Sequence, residues 1–281
     1  MKILIGGCRG THPIARDGFL RYGGETTSFL IEGRDGERIV VDAGTGVREL
    51  GSRVQEAGAT NSVLLLLTHY HLDHVIGLPS LGLIYSDRWT IALVSPIRNG
   101  RTVGDVMPRV IDKPFWPLQV QDLASRVRFV TLPTEASSRP WAHGSLRVRW
   151  CPVPHPGGCT AYRIDDPAQQ RAVVIATDIE WQAASALERA ALFRLCRKPY
   201  PAQLLIMDGQ YDWASYESHL GWGHSAWEDC AEVARRAGVG RLLVTHHDPA
   251  HNDLELARRE RLLKRVLPTA AFAREGMSLA L

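Results

Sequence analysis

The sequence predicts an α/β chain of the α+β kind, in which a sandwich of β-sheets is covered by helices. Strand-like runs come first in a hairpin arrangement and later alternate with helical periodicity, the pattern of sheets closed over by helices. The chain has 281 residues, 45% of them hydrophobic and 22% charged, enough to bury a large core and too apolar for disorder. No repeat or low-complexity linker divides it, so residues 1–281 read as one domain.

The elements follow in order. Met1–Gly7 has one lysine and a short apolar run, an opening strand rather than a signal peptide. Thr27–Glu32 and Arg38–Asp42 alternate apolar and polar residues around Arg34-Asp35-Gly36, a hairpin signal, and Val47–Ala57 is an amphipathic helix. Ser62–Leu67 is a buried strand. Further strands are expected at Arg88–Ser95, Arg126–Leu132, Leu146–Pro152, Thr160–Ile164, Ala172–Thr177, Gln203–Asp208 and Arg241–Thr245, and helices at Ala184–Cys196, Ala226–Ala237 and Leu254–Val266. Residues 95–140 carry Pro96, Pro108, Pro114, Pro117, Pro133 and Pro140 with weak periodicity, which predicts an irregular excursion, a long connection more readily than a lid.

Composition narrows the function. The net charge of +3, dispersed along the chain, gives no strong nucleic-acid signal. The longest apolar run, Val63–Leu67, is strand-sized, so no membrane partner is expected and the reading is a cytoplasmic protein. Five scattered cysteines without a CxxC pair argue against a disulfide framework and against a cysteine-built zinc site.

The sharpest signal is Thr68-His69-Tyr70-His71-Leu72-Asp73-His74, directly after the strand Ser62–Leu67. Imidazole and carboxylate suit a borderline cation such as zinc, and four of them within six positions at a strand end point to a metal that gathers them. His69 and His71, two apart on extended backbone, face one side, whereas Asp73 and His74 follow as the chain turns towards a helix. Two histidines can thus hold one ion and the Asp-His pair another.

This HxHxDH motif resembles that of the metallo-β-lactamase-fold hydrolases, and the resemblance continues in chain order. His155 in Pro154-His155-Pro156-Gly157-Gly158, Asp178 after the strand Ala172–Thr177, and His246 in Thr245-His246-His247 fall where that family has its remaining ligands. The resemblance implies a four-layer αββα sandwich and two divalent metal ions, zinc first and manganese second. It implies His69, His71 and His155 on one ion, Asp73, His74 and His246 on the other, and Asp178 on both. His246 is preferred to His247 because the family ligand directly follows the threonine. Asp42, in Val41-Asp42-Ala43-Gly44, stands at the family's early Asp-x-Gly turn, where a carboxylate would accept the outer N–H of a ligating histidine. His12, His143, His219 and His251 match no ligand motif.

Gly221-Trp222-Gly223-His224-Ser225-Ala226-Trp227-Glu228 contains an S-x-x-E capping box, so a helix is expected from Ser225 with His224 just before its positive end, where an anion is favoured. A helix-start histidine a little before the last ligand resembles the phosphodiester-cleaving branches, the transfer-RNA 3′-processing endonucleases and the phosphoribosyl cyclic phosphate phosphodiesterases. Asp73 and His224 are therefore the candidate catalytic residues. Two divalent cations, less two carboxylates and a bridging hydroxide, leave the core near about +1, which welcomes an anionic substrate. Gly7-Cys8-Arg9-Gly10-Thr11-His12-Pro13 and Arg21-Tyr22-Gly23-Gly24 resemble the amino-terminal motif of bacterial members of that branch, with Glu25 in place of the usual asparagine. Arg9 and Arg21 could bind phosphate or pair with backbone carbonyls.

The leading expectation is a dinuclear metal-dependent phosphodiesterase acting through a metal-bridging hydroxide on a small cyclic phosphate or nucleotide. A lactone or thioester hydrolase of the same fold and a non-catalytic metal-binding accessory protein are the alternatives. The expected partner is a small anionic molecule, with a homodimer left open.

Overall fold

A computed structural model describes residues 1–56 and 60–281. Among the described residues, fourteen strands form two seven-stranded sheets. The first comprises β1 (Lys2–Gly7), β2 (Ser28–Glu32), β3 (Arg38–Val41), β4 (Ser62–Leu66), β5 (Thr90–Pro96) and β6 (Arg126–Leu132) in sequential order. The second comprises β7 (Trp141–His143), β8 (Leu146–Val153), β9 (Cys159–Asp166), β10 (Arg171–Ala176), β11 (Leu204–Asp208), β12 (Arg241–Thr245) and β13 (Ala270–Phe272). The last strand, β14 (Ser278–Ala280), returns to pair antiparallel with β1 and so ties the C-terminal end to the first sheet.

Each sheet changes from antiparallel to parallel pairing midway. β1, β2 and β3 are antiparallel, whereas β3 to β6 run parallel. β7 to β10 are antiparallel, whereas β10 to β13 run parallel. Parallel neighbours need a crossover, and the helices supply it. They are α1 (Val47–Glu56), α2 (Leu72–Val75), α3 (Val103–Val110), α4 (Ala186–Arg197), α5 (Trp213–Tyr216), α6 (Trp227–Ala237) and α7 (Asp253–Val266).

Alternation along each strand sorts the apolar residues into three buried layers. Ile31, Val41 and Leu66 of the first sheet meet Val148, Ile164 and Ile175 of the second in the middle layer. Leu30, Val40 and Leu65 point the other way, onto Val47 and Leu50 of α1 and Met107 of α3. Val174, Leu205 and Val244 point outward onto Leu192 of α4, Val233 of α6 and Leu263 of α7. Helices therefore cover the outer face of each sheet, the expected αββα layering. Among the described residues no helix is long and apolar enough to cross a membrane.

Most predicted elements form within one or two residues. Ala57, the expected end of the first helix, lies outside the described residues. The proline-rich stretch is more regular than its composition suggests. It contributes α3, entered through a Thr102–Asp105 capping box, and the edge strand β6. Pro108 sits inside α3, which ends two residues later, so the missing amide costs a short helix little. The short β7, β13 and β14 carry too few residues for periodicity to reveal.

The amino-terminal loop is anchored to α7 through Glu260, whose buried carboxylate accepts hydrogen bonds from Tyr22 Oη at 2.6 Å and Arg274 Nη2 at 2.7 Å. Burial alone would raise its pKa, but Tyr22, Lys264 and Arg274 outweigh that and bring it down to about 2. A carboxylate held below its unfolded value stabilises the fold above the unfolded pKa and loses that contribution as pH falls through the folded one. The stability advantage of the parent over Glu260→Gln should therefore be full at neutral pH and shrink steadily between about pH 4.5 and pH 2. Denaturant unfolding of both proteins across that range would check it, and a pH-independent gap would refute the ionic origin.

Candidate metal centre

The site lies where the carboxyl ends of the parallel strands of both sheets come together. Asp42 follows β3, Thr68 and His69 follow β4, Asp178 follows β10, Asp208 ends β11 and His246 follows β12. His155 comes from the turn after β8. A strand end lets the chain turn freely while the ladder behind it stays fixed, so residues remote in sequence can converge. The hydroxyl of Tyr162 on β9 donates to Leu67 O at 2.8 Å, a bond between the sheets just behind the motif.

All seven sequence-predicted ligands are brought together. Nitrogens of His69, His71 and His155 form one group, and Asp73, His74 and His246 another, with ligating atoms within 4.8 Å of one another in each. Asp178 stands between them. Its Oδ1 is 3.1 Å from His74 Nε2, and its Oδ2 is 3.2 Å from His246 Nε2, 3.7 Å from His69 Nε2 and 3.8 Å from His155 Nε2. Asp73 Oδ2 lies 3.2 Å from His246 Nε2 and 3.3 Å from His74 Nε2, and it also accepts the Thr11 amide at 2.8 Å. His71 Nδ1 and His155 Nε2 approach to 3.0 Å.

The ring nitrogens turned away from the centre are held one by one. His74 Nδ1 donates to Asp42 at 2.8 Å, His155 Nδ1 to Gly223 O at 2.8 Å and His246 Nδ1 to Gln210 Oε1 at 3.0 Å. Thr68 donates its amide and hydroxyl to Asp42, and its hydroxyl oxygen lies 3.0 Å from His69 Nδ1. A proton placed on each Nδ1 leaves the Nε2 lone pair facing inward, the arrangement a metal needs. Asp42 adopts φ 61°, a conformation that aspartate tolerates and that lets one carboxylate serve both Thr68 and His74. Gly223 at φ 91° brings its carbonyl onto His155, and a Cβ there would lie 2.3 Å from the ring. Glu180 holds that loop by accepting the amides of Gly221 and Gly223 and the hydroxyl of Tyr216.

The electrostatics ask for positive charge. Burial would raise the pKa of Asp178, yet His246, His74 and His69 hold it well below the ordinary carboxylate range. Burial would likewise lower His74 and His246, yet Asp178 and its neighbours raise His74 far above its usual value and His246 to about 9. Protons on these rings are what a bound cation would displace. Nε2 of His69, Nε2 of His74 and Oδ1 of Asp178 are buried without a hydrogen-bond partner, a cost that coordination would remove. The residues fit a divalent metal site built from nitrogen and oxygen donors.

His224 sits over this group. Its ring stacks on His246 at 4.6 Å and meets His155 edge-on at 5.2 Å, and its Nδ1 donates to Asp208 Oδ2 at 2.8 Å. The expected capping box is not formed. Ser225 Oγ instead donates to Ile179 O and accepts the Trp181 amide at 3.1 Å, so α6 starts after Ala226 without a side-chain cap. Glu228 turns to the Trp213 amide. The carboxylate of Asp208, rather than the helix end, is what orients His224.

Arg9 is fully buried and donates to the carbonyls of Gly23, Asp248 and His251, which makes it a strut of the amino-terminal loop rather than a phosphate ligand. Arg21 is exposed, with its guanidinium 5.6 Å from the centre of the Tyr22 ring. His247 is directed away from the centre, its Nε2 donating to Ala273 O at 2.8 Å. Asp208, Thr68, Glu180 and Gln210 were not read from the sequence. For Asp208 a signal existed, an acid at a strand end like Asp178.

Because Asp42 fixes His74, Asp42→Ala should weaken the metal bound through His74 by about 10–100-fold while leaving the His69-His71-His155 group less affected. Competition with a chelator, read by elemental analysis, would show one ion released well before the other. Equal release of both would contradict that division of labour.

Residues 37–247 match the family model described as the Beta-lactamase superfamily domain. The chain is 27% identical over 238 residues to a ribonuclease Z of Mycobacterium sp. (strain KMS), covering 76% of this chain and 75% of that one. The crystal structure of the metallo-beta-lactamase fold protein YhfI from Bacillus subtilis is similar with a TM-score of 0.69 at 21% identity, over 99% of this chain and 98% of that one. Human tRNase Z, short form, is similar with a TM-score of 0.68 at 18% identity, over 100% and 99%. Since the matched segment runs from β3 past the last histidine of the cluster, this chain belongs to the beta-lactamase superfamily.

Proposed function

We propose that this protein is a dinuclear metal-dependent phosphodiesterase acting on a small cyclic phosphate or nucleotide. His69, His71 and His155 would hold one ion, Asp73, His74 and His246 the other, and Asp178 both, with zinc favoured over manganese by the histidine-rich donor set. Two such ions lower the pKa of a shared water and stabilise the attacking and departing oxygens of a displacement at phosphorus. The observation that carries the choice of bond is His224. Its Nδ1–H is committed to Asp208, so Nε2 is the atom free to donate to a phosphate oxygen or to protonate a leaving alkoxide. The side chain is mostly buried and packs on two ligand rings, so it is placed once the centre is assembled. The names of two relatives, ribonuclease Z and tRNase Z, point to phosphodiester chemistry as well. The dispersed charge of +3 favours a small substrate over a polyanion and fits a cytoplasmic enzyme.

Turnover of the metal-reconstituted protein against cyclic nucleotides, bis-aryl phosphates, lactones and thioesters tests the reading. Phosphodiesters should be cleaved and elemental analysis should give about two metal ions per chain, one of them lost in Asp73→Ala. His224→Ala should keep both ions and its melting temperature yet lose about 10²–10⁴-fold in phosphodiester turnover. Preferred cleavage of lactones or thioesters, or full activity without metal, would refute the assignment.

A further inference from the structure

The loop that leads into His224 presents an aromatic side chain for which the chemistry above has no use. Trp222 is 61% exposed, yet its backbone is held on both sides. The amides of Gly221 and Gly223 donate to the two oxygens of the buried Glu180 carboxylate at 2.8 and 2.9 Å, and the Trp222 amide donates to His219 O at 3.1 Å. Gly221 and Gly223 adopt φ of 81° and 91°, where a Cβ is strained. Gly223 is also needed to bring its carbonyl onto His155, but a Cβ on Gly221 would meet open space, so what calls for glycine there is the turn that carries the indole. Trp227, on the other side of His224, is buried in the apolar layer under α6. Trp222 belongs to none of the three apolar layers.

The indole stands at the outer end of a line of rings that begins in the metal centre. His224 meets Tyr211 edge-on at 6.2 Å, Tyr211 stacks on His219 at 4.3 Å, and His219 meets Trp222 edge-on at 4.9 Å. His219 is itself fixed, its Nδ1 donating to Ser215 O at 2.7 Å, and Tyr211 is fully buried, so the indole leans on a firm support. Consecutive Cα atoms are about 3.8 Å apart, which roots Trp222 within about 8 Å of His224. A rigid, exposed ring at this distance from the reacting centre suits a flat group carried by the same substrate molecule, because little ordering entropy is lost when they meet.

We propose that Trp222, propped by His219 and Tyr211, is a platform on which the base of a nucleotide substrate stacks while its phosphodiester lies at the metal centre. The inference rests on the phosphodiesterase reading above and narrows its substrate class to nucleotides, as against phosphorylated sugars that lack a base. An indole face stacks on any nucleobase, so the platform selects for the presence of a base more than for its identity.

The metal-loaded enzyme is assayed with adenosine 3′,5′-cyclic phosphate and with methyl ribofuranoside 3′,5′-cyclic phosphate, the same diester without the base. Binding of adenosine 5′-monophosphate and of ribose 5-phosphate is compared by calorimetry. The nucleotide should be preferred in kcat/KM by about 5–100-fold, mainly through KM, and should bind more tightly than the sugar phosphate by a similar factor, the worth of one stacked base. Trp222→Ala should collapse both ratios towards one, and Trp222→Phe should keep most of each. Diester turnover with no preference for the base, or with a preference unchanged in Trp222→Ala, overturns the platform and leaves the phosphodiesterase reading standing. A preference lost as fully in Trp222→Phe as in Trp222→Ala assigns the effect to the loop and overturns stacking. Trp222-dependent preference for adenosine 5′-monophosphate over ribose 5-phosphate, without turnover of any diester, supports the platform and overturns that reading.

Discussion

The burial of Asp178 is the constraint from which most of the site follows. A carboxylate with 1% of its surface exposed, at the meeting of two sheets, is stable only if positive charge surrounds it. Imidazole nitrogens of His69, His74, His155 and His246 lie within 4 Å, drawn from three separate segments of the chain. Asp178 favours the protonated form of His74 and His246, while burial holds His69 and His155 towards the neutral form, so the acid and the two raised histidines depend on one another. A divalent cation satisfies both at once, since it takes lone pairs from the rings and neutralises the carboxylates. The same demand explains why the strands that deliver these residues are buried on both faces. Only a scaffold stabilised elsewhere, by three apolar layers, can hold so unfavourable a cluster in readiness.

An outer ring of acceptors turns this crowd of titratable groups into a defined site. Asp42, Gln210, Asp208 and the carbonyl of Gly223 each take the Nδ1 proton of one histidine, and each comes from a strand end or a loop fixed to one. Glu180 adds a further step, because it touches no histidine yet positions Gly223, which orients His155. Disturbing such a residue changes the aim of a ring rather than the number of donors. That is a physical reason why activity can be lost with all ligands present.

How far this could be read from the sequence depended on how local each interaction is. The HxHxDH segment is legible because its ligands are contiguous and their spacing is itself chemically telling. His155, Asp178 and His246 are isolated acids or imidazoles at strand ends, and resemblance was needed to select them. Asp208 has the same signature as Asp178, but its partner, His224, is 16 residues away and joined to it only by the fold, so nothing local marks it. The Ser225–Glu228 pattern misled in the opposite direction. It is a sound local cap, but Ser225 finds stronger demand from Ile179 and Trp181, and tertiary bonding overrides the local option. Arg9 and Arg98 show the same limit. Both are arginines in irregular segments, and only the fold reveals that both are buried, Arg9 donating to the carbonyls of Gly23, Asp248 and His251 and Arg98 to Ile97 O and Thr160 Oγ1, with one nitrogen of each left without a partner.

The cysteines bear on which metal chemistry this arrangement permits. All five are buried and unpaired, and Cys159 comes closest to the centre, its Sγ lying 3.8 Å from His69 Nδ1. A thiolate there would be a softer ligand than any of the imidazoles and would draw the site towards thiophilic metals. Burial works against it, as desolvation and the nearby Asp178 and Asp42 push the thiol up to about 12, so the sulfur keeps its proton. It also faces the outer nitrogen of His69 rather than the Nε2 that is turned inward. The soft donor is thus excluded both by protonation and by direction, and the centre remains one of nitrogen and oxygen ligands. A divalent cation held by such a donor set would keep more of its positive charge than one held by thiolates.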